Sequence, residues 1–204
     1  MPRAPSYRAR GRTPRSKETR GRIMEATRAL LDEGAFHLST VEQVGERAGV
    51  SRATVYQHFP SRLELVDAIC DTFAENPALL ALREAVDATD VEEAVGETIA
   101  DAMRFWSSED AILRQLYGAT AIDPASRDLV ERQLADRRGE MQRLARRLAE
   151  SRKLRRGLDR GGALQHLLVL TGYGTYRELR DEGLSDAKLT AMLQAMARTL
   201  LLAS

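Results

Sequence analysis

Apolar positions recur every three or four residues along most of the chain, and no stretch sustains a two-residue alternation. That is the helical period, and the abundant Ala, Leu, Arg and Glu are good helix formers. Ile23, Ala26, Thr27 and Leu30 fall at i, i+3, i+4 and i+7, and Gly34 closes the run. The spacing predicts a helix from Ser16, after an irregular arm interrupted by Pro2, Pro5 and Pro14. A second helix opens at Thr40, with Gln43 at the capping-box distance, an inner stripe of Val41, Val44 and Ala48, and Gly49 at its end. Ser51 caps a short third helix that Pro60 stops. Ser61 with Glu64 repeats the capping box before a fourth, whose buried face is Leu65, Ala68 and Ile69 and which Asn76-Pro77 closes. Further helices are expected at 78–88, 90–107, 109–120, 124–153, 160–182 and 185–203, with clear breaks at Asp123-Pro124 and Gly157 to Asp159. The expected fold class is all-α.

Composition adjusts this picture in three ways. A chain of 204 residues, 43% hydrophobic and 30% charged, suffices for one ordinary domain or a small one joined to a larger one. Runs such as Leu167–Leu170 fall far short of the roughly 18 residues a membrane helix needs, and no apolar stretch follows the basic N-terminus as in a secretory signal. A single cysteine, Cys70, cannot form an internal disulfide and fits a reducing compartment, so a cytoplasmic location without membrane contact is expected.

Net charge is +1, yet residues 1–60 hold 11 Lys and Arg against 6 Asp and Glu, and residues 61–204 hold 20 against 24. The first fifteen residues carry Arg3, Arg8, Arg10, Arg12 and Arg15 and no acid. A basic end on a near-neutral chain points to a local polyanion, with phosphates or a narrow minor groove as its target. A solvated tail is the alternative.

Thr40 to Phe59 carries the most specific pattern. Two short helices meet at Gly49, a residue free to take the positive φ of a sharp turn. Val55 and Phe59, four apart, anchor one side of the second helix. Ala53, Thr54, Gln57 and His58, flanked by Arg52 and Tyr56, spread over the other. Such a helix offers the groups that the DNA major groove accepts: Arg for guanine, Gln for adenine, methyls for thymine. Its N-terminus at Ser51 can also face a phosphate.

Residues from about 17 to 73 resemble the DNA-binding domain of the TetR family of bacterial transcriptional regulators. The match to the family pattern runs through Thr40, Val41, Ala48, Gly49, Val50, Ser51, Thr54, Tyr56, His58, Phe59, Ser61 and Leu65, with Arg52, Val55 and Arg62 as conservative stand-ins. Gly45 departs where Ala is frequent, a change worth about 1 kcal/mol in helix propensity, and Ala53 replaces a frequent Gly. The resemblance implies a regulator, most often a repressor, that binds double-stranded DNA at an inverted repeat as a homodimer. It implies phosphate contacts from Thr40, Gln43, Thr54, Tyr56 and Arg62, and base contacts from Arg52, Ala53, Gln57 and His58, with Arg8, Arg10, Arg12 and Arg15 as a DNA-binding arm. It divides the chain into a basic flexible arm (1–15), the DNA-binding domain (16–75) and a helical effector-binding and dimerisation domain (76–204).

For the last domain the resemblance implies dimerisation through the final helices. Two apolar seams fit: Leu189, Met192, Leu193, Met196 and Leu200, and Leu164, Leu167, Leu168 and Leu179 around Gly172 to Thr175. Both also suit an intrachain core. The internal glycines there imply a kink or a close helix approach. A small-molecule effector is implied as well, with Phe73, Met103, Phe105, Trp106, Tyr117, His166, Tyr173, Tyr176 and Cys70 as candidates and core packing as the competing role. Helix 4, expected to carry both Arg62 and Phe73, would link DNA and ligand. The arginine-rich stretch from Arg132 to Arg156, interleaved with Glu131, Asp136, Glu140 and Glu150, reads as a salt-bridged exposed face. No cofactor, metal or enzymatic role is expected: His37, His58 and His166 are scattered, and no phosphate loop or nucleophile motif occurs. The remaining alternative is a TetR-fold regulator that activates, or that answers to a protein partner.

Overall fold

The computed structural model describes residues 14–120 and 123–203. The chain divides into two units, Met1–Ile69 and Cys70–Ser204. Among the described residues both are helical, and one isolated bridge pairs Leu154 with Leu202.

In the first unit α1 spans Pro14–Asp32 and so starts ahead of the expected Ser16. Proline is tolerated in a first turn, where backbone N–H groups have no intrahelical acceptor. Arg15 is therefore an exposed residue of α1, whereas Arg3, Arg8, Arg10 and Arg12 lie outside the described residues. Ile23 and Leu31 are 0% and 1% exposed. Gly34, at φ 69°, turns the chain after α1. A 3-10 turn at Phe36–Leu38 then seats Phe36 in the core, a feature the apolar period does not announce. α2 (Val41–Ala48), α3 (Arg52–His58) and α4 (Arg62–Asp71) follow.

α4 stops short of Phe73, which sits in a 3-10 turn at Thr72–Glu75. Proline disfavours a helical conformation in the residue before it, so the chain must leave the helix by Asn76. One continuous helix therefore does not carry both Arg62 and Phe73, contrary to expectation.

The second unit opens with α5 (Pro77–Val86), where Pro77 occupies the first turn and the Asn76 side chain accepts from Ala78 N–H at 2.9 Å. The expected pair 90–107 and 109–120 is a single helix, α6 (Val91–Thr120). Its buried stripe continues through Trp106, Glu109, Ile112, Leu113 and Leu116, and Ser108 returns its hydroxyl to Phe105 O at 3.0 Å. Burial of that stripe overrides the local polarity of Ser107-Ser108. α7 spans Pro124–Glu150, capped by the Asp123 carboxylate.

The expected helix 160–182 is two, α8 (Arg160–Leu170) and α9 (Tyr173–Asp181). Side chains take over acceptors at the break. Thr171 donates its hydroxyl to Leu167 O (2.7 Å), Arg137 Nη2 reaches Leu168 O (2.7 Å), and Trp106 Nε1 reaches Thr171 O (2.9 Å). Gly172 leaves the helical region with ψ 146°, and a Cβ there would lie 3.0 Å from Leu168 O, tighter than side chains normally allow. α10 (Asp186–Leu201) packs on α6 and α8, capped by Ser185.

The arginines of α7 are more than a solvated face. Arg147 donates to Val86 O and Ala88 O, Arg143 pairs with Asp87, and together they hold the end of α5. Arg137 points inward.

Candidate nucleic-acid interface and ligand cavity

The second helix of the pair, α3, is fixed from below. Val55 and Phe59 are 0% and 2% exposed. The Arg20 guanidinium stacks 4.0 Å from the Phe59 ring centre and donates to His58 O at 3.2 Å. Ser51 caps the helix, accepting from Thr54 N–H (3.2 Å) and sharing a hydroxyl contact with Thr54 (2.9 Å). Before the turn, the capping box at Thr40 is complete: Gln43 N–H donates to Thr40 Oγ1 (3.2 Å), and Thr40 N–H to Gln43 Oε1 (2.8 Å).

Gly49 takes φ 66°, which favours glycine. Gly45 matters for a different reason. A Cβ at that position would stand 2.8 Å from Val50 O and 3.3 Å from Val55 Cγ2, so the close approach of the turn to α2 requires its absence. The departure from the family pattern is thus a packing feature of this turn. Gly45→Ala is expected to destabilise the first unit by about 1–3 kcal/mol, because overpacking outweighs the propensity gain. A thermal melt giving a lower Tm agrees with this, and a raised Tm contradicts it.

Outward from these anchors, Thr40, Gln43, Ser51, Arg52, Ala53, Tyr56 and Gln57 are exposed, while Thr54 and His58 are half-buried. Arg52 lies over the Tyr56 ring at 5.5 Å. Arg62 is different. Its guanidinium donates to Ser39 O and Phe36 O and lies 4.3 Å from the Phe36 ring centre, so it ties α4 to the 3-10 turn instead of standing free for a phosphate. The sequence pattern could not separate those roles; Arg20, which supports α3, was likewise missed.

The second unit holds a cavity of about 310 Å3, the lower end of the small-molecule range. Phe73, Phe105, Trp106, Tyr117 and Cys70 line it. The other aromatic and polar candidates lie elsewhere. Met103, 1% exposed, is core, and His166 Nδ1 contacts Gly162 O (2.7 Å) within α8. Tyr173 backs the wall, its ring 5.4 Å from Trp106 and 4.7 Å from Tyr117. Its hydroxyl donates to Asp110 Oδ1 at 2.8 Å, and burial together with that bond raises its pKa strongly. Tyr176, 2% exposed, is core. Leu113, Val130 and Arg137 also line it; the sequence offered no signal that would single out Leu113 and Val130 from other core residues.

The expected dimer seam divides in two. Leu189, Leu193 and Leu167 are 0–1% exposed and belong to the intrachain core, because α10 and α8 turn that side toward each other and α6. Leu164, Leu168, Gly172, Met192 and Leu200 are half-buried, Met196 is 42% exposed and Val169 62%. These residues leave an apolar strip on the outer sides of α8 and α10.

A buried two-helix pair with a polar outward helix defines a helix-turn-helix unit, here followed by an all-helical unit with an internal cavity. Residues 23–69 match the family model described as bacterial regulatory proteins, tetR family. The transcriptional activator FasR of Mycolicibacterium smegmatis is 35% identical over 65 residues, 32% of this chain and 29% of that protein. The regulator CymR of Pseudomonas putida is 27% identical over 128 residues, 62% of this chain and 63% of that protein. The chain thus spans less than two thirds of either relative. SmeT, the repressor of the Stenotrophomonas maltophilia multidrug efflux pump SmeDEF, matches in fold with a TM-score of 0.68 at 22% identity, covering 91% of this chain and 92% of SmeT. SmeT in complex with triclosan matches at 0.65. Among the described residues no helix is long and apolar enough to cross a membrane, and no group of three or more His, Cys, Asp and Glu could hold a metal ion.

Proposed function

We propose that this chain is a sequence-specific DNA-binding transcriptional regulator, a repressor that holds an inverted-repeat operator as a homodimer and is released by a small-molecule effector. One observation carries the DNA-binding part: a helix locked by Val55, Phe59 and Arg20 presents Arg52, Ala53, Tyr56 and Gln57 to solvent. Arg52, Ala53, Gln57 and His58 read bases in the major groove. Thr40, Gln43, Ser51, Thr54 and Tyr56 contact phosphates, and Arg8, Arg10, Arg12 and Arg15 add electrostatic affinity. Arg62 contributes by fixing the α4 start. One short helix reads few base pairs, so two copies are needed, and the outer strip of Leu164, Leu168, Val169, Met192, Met196 and Leu200 supplies the pairing surface. The cavity behind Trp106 holds the effector, as the triclosan complex of SmeT supports by analogy. The protein works where its DNA is, in the cytoplasm.

Arg52→Ala and Gln57→Ala are each expected to relax discrimination at one base per half-site, by about 1–3 kcal/mol. Binding measured against single-base operator variants checks this. Uniform weakening across all variants would mean that these side chains hold the backbone instead.

A further inference from the structure

The cavity of the second unit borders a charge that its surroundings leave unanswered. Arg137, midway along α7, turns inward, and burial lowers its pKa. Its Nη2 donates to the Leu168 carbonyl (2.7 Å) and the Thr171 hydroxyl (2.8 Å), both neutral acceptors. Its Nε–H is buried and has no hydrogen-bond partner. Among the described residues no carboxylate is paired with it. Glu140, one turn further on, borders the same cavity and is ion-paired with Arg143 at 2.9 Å, its buried Oε2 accepting no hydrogen bond. Asp71 and Asp136 are at exposed lining positions. A buried cation without a counter-ion is strongly unfavourable, and an anion arriving beside it relieves that penalty.

The rest of the wall sets the shape of the partner. Apart from Arg83, half-buried, and Arg132, exposed, the remaining wall is apolar: Phe105, Trp106, Leu113, Leu116 and Val130 offer no polar side-chain atom except the Trp106 indole N–H, which Thr171 O already takes. Tyr117 lines the same space, and its hydroxyl feels the Arg137 charge while burial keeps it protonated. A second donor therefore accompanies the guanidinium.

We propose that the cavity takes a monoanionic molecule with an aromatic or branched apolar body, its carboxylate received by Arg137 Nε and the Tyr117 hydroxyl. This names the effector class and rests on reading the cavity as the effector site, independently of DNA binding. The same arginine holds Leu168 O and Thr171 at the break between α8 and α9, so an anion on Nε acts on the end of the helix whose outer side carries Leu164 and Val169.

Trp106 is the single tryptophan of the chain and lines the cavity, so its emission reports occupancy directly. The full-length protein is titrated with 4-phenylbutanoate and with its neutral isostere 4-phenylbutanamide, with excitation confined to tryptophan. The carboxylate is expected to saturate at a concentration at least about tenfold lower than the amide, the scale of one charge-assisted hydrogen bond. Arg137→Gln should bring the two affinities together, and Arg137→Lys should keep a preference for the carboxylate. Equal affinities in the wild type, a preference that survives Arg137→Gln, or no response of Trp106 to either compound would each overturn the proposal. The wild-type comparison stands alone if the glutamine variant does not fold. Operator binding by the unliganded protein, measured in parallel, tests the DNA-binding reading separately.

Discussion

Leu193→Glu is expected to unfold the second unit, whereas Met196→Glu is expected to leave it folded and monomeric. The two residues stand three apart on α10, yet Leu193 is 1% exposed and Met196 42%. Burying an unpaired carboxylate in the apolar layer between α10, α6 and α8 adds the lost packing of a leucine to the desolvation of a charge, more than about 3 kcal/mol together. At Met196 the same carboxylate stays in water, and the folded monomer should change by no more than about 0.5 kcal/mol. In the proposed dimer, the charge would enter the apolar strip that pairs the two copies. Sedimentation and circular dichroism separate these outcomes. Wild type should sediment at twice the 22.7 kDa chain mass, Met196→Glu at that mass with a full helical signal, and Leu193→Glu should lose helix. A folded, monomeric Leu193→Glu variant would show that α10 packs differently.

Phe59→Ala should have an effect of similar size on the first unit. The ring is 2% exposed, lies under the Arg20 guanidinium and closes the C-terminal end of α3. Truncating a buried phenylalanine destabilises by about 3–5 kcal/mol, a large share of the stability of a unit this small. The loss has a second component here. Arg20 also donates to His58 O, and without the ring its guanidinium loses its stacking surface. Unfolding of the first unit should therefore occur at a lower denaturant concentration, and operator affinity should fall with it. An unchanged midpoint would mean that α3 is held by Val55 alone.

Local chemistry made the first unit legible in the sequence. The Thr40 capping box, the left-handed Gly49 and the Val55–Phe59 spacing each act over four residues or fewer, so pattern and structure coincide there. What escaped is tertiary. Arg62 and Arg20 read as surface charges because the carbonyls they reach, at Phe36, Ser39 and His58, are distant in sequence. The break between α8 and α9 was visible as two glycines but not locatable, since it depends on Arg137 and Trp106 donating across from other helices. Gly45 reads in the sequence as a propensity defect, whereas in the fold Val50 O lies against it. In the cavity, aromatic residues at helical spacing could not be sorted into lining and core: Trp106 lines it and Tyr176 does not.

The proposed function requires α3 to read DNA in pairs. Its most direct test is to incubate the full-length protein with fragmented bacterial genomic DNA, recover the bound fragments and sequence them. Enrichment of an inverted repeat is expected, with half-site centres about 10–10.5 bp apart or a multiple of that, occupied by two chains. Enrichment of a single half-site held by one chain, or no enrichment over random fragments, would contradict it.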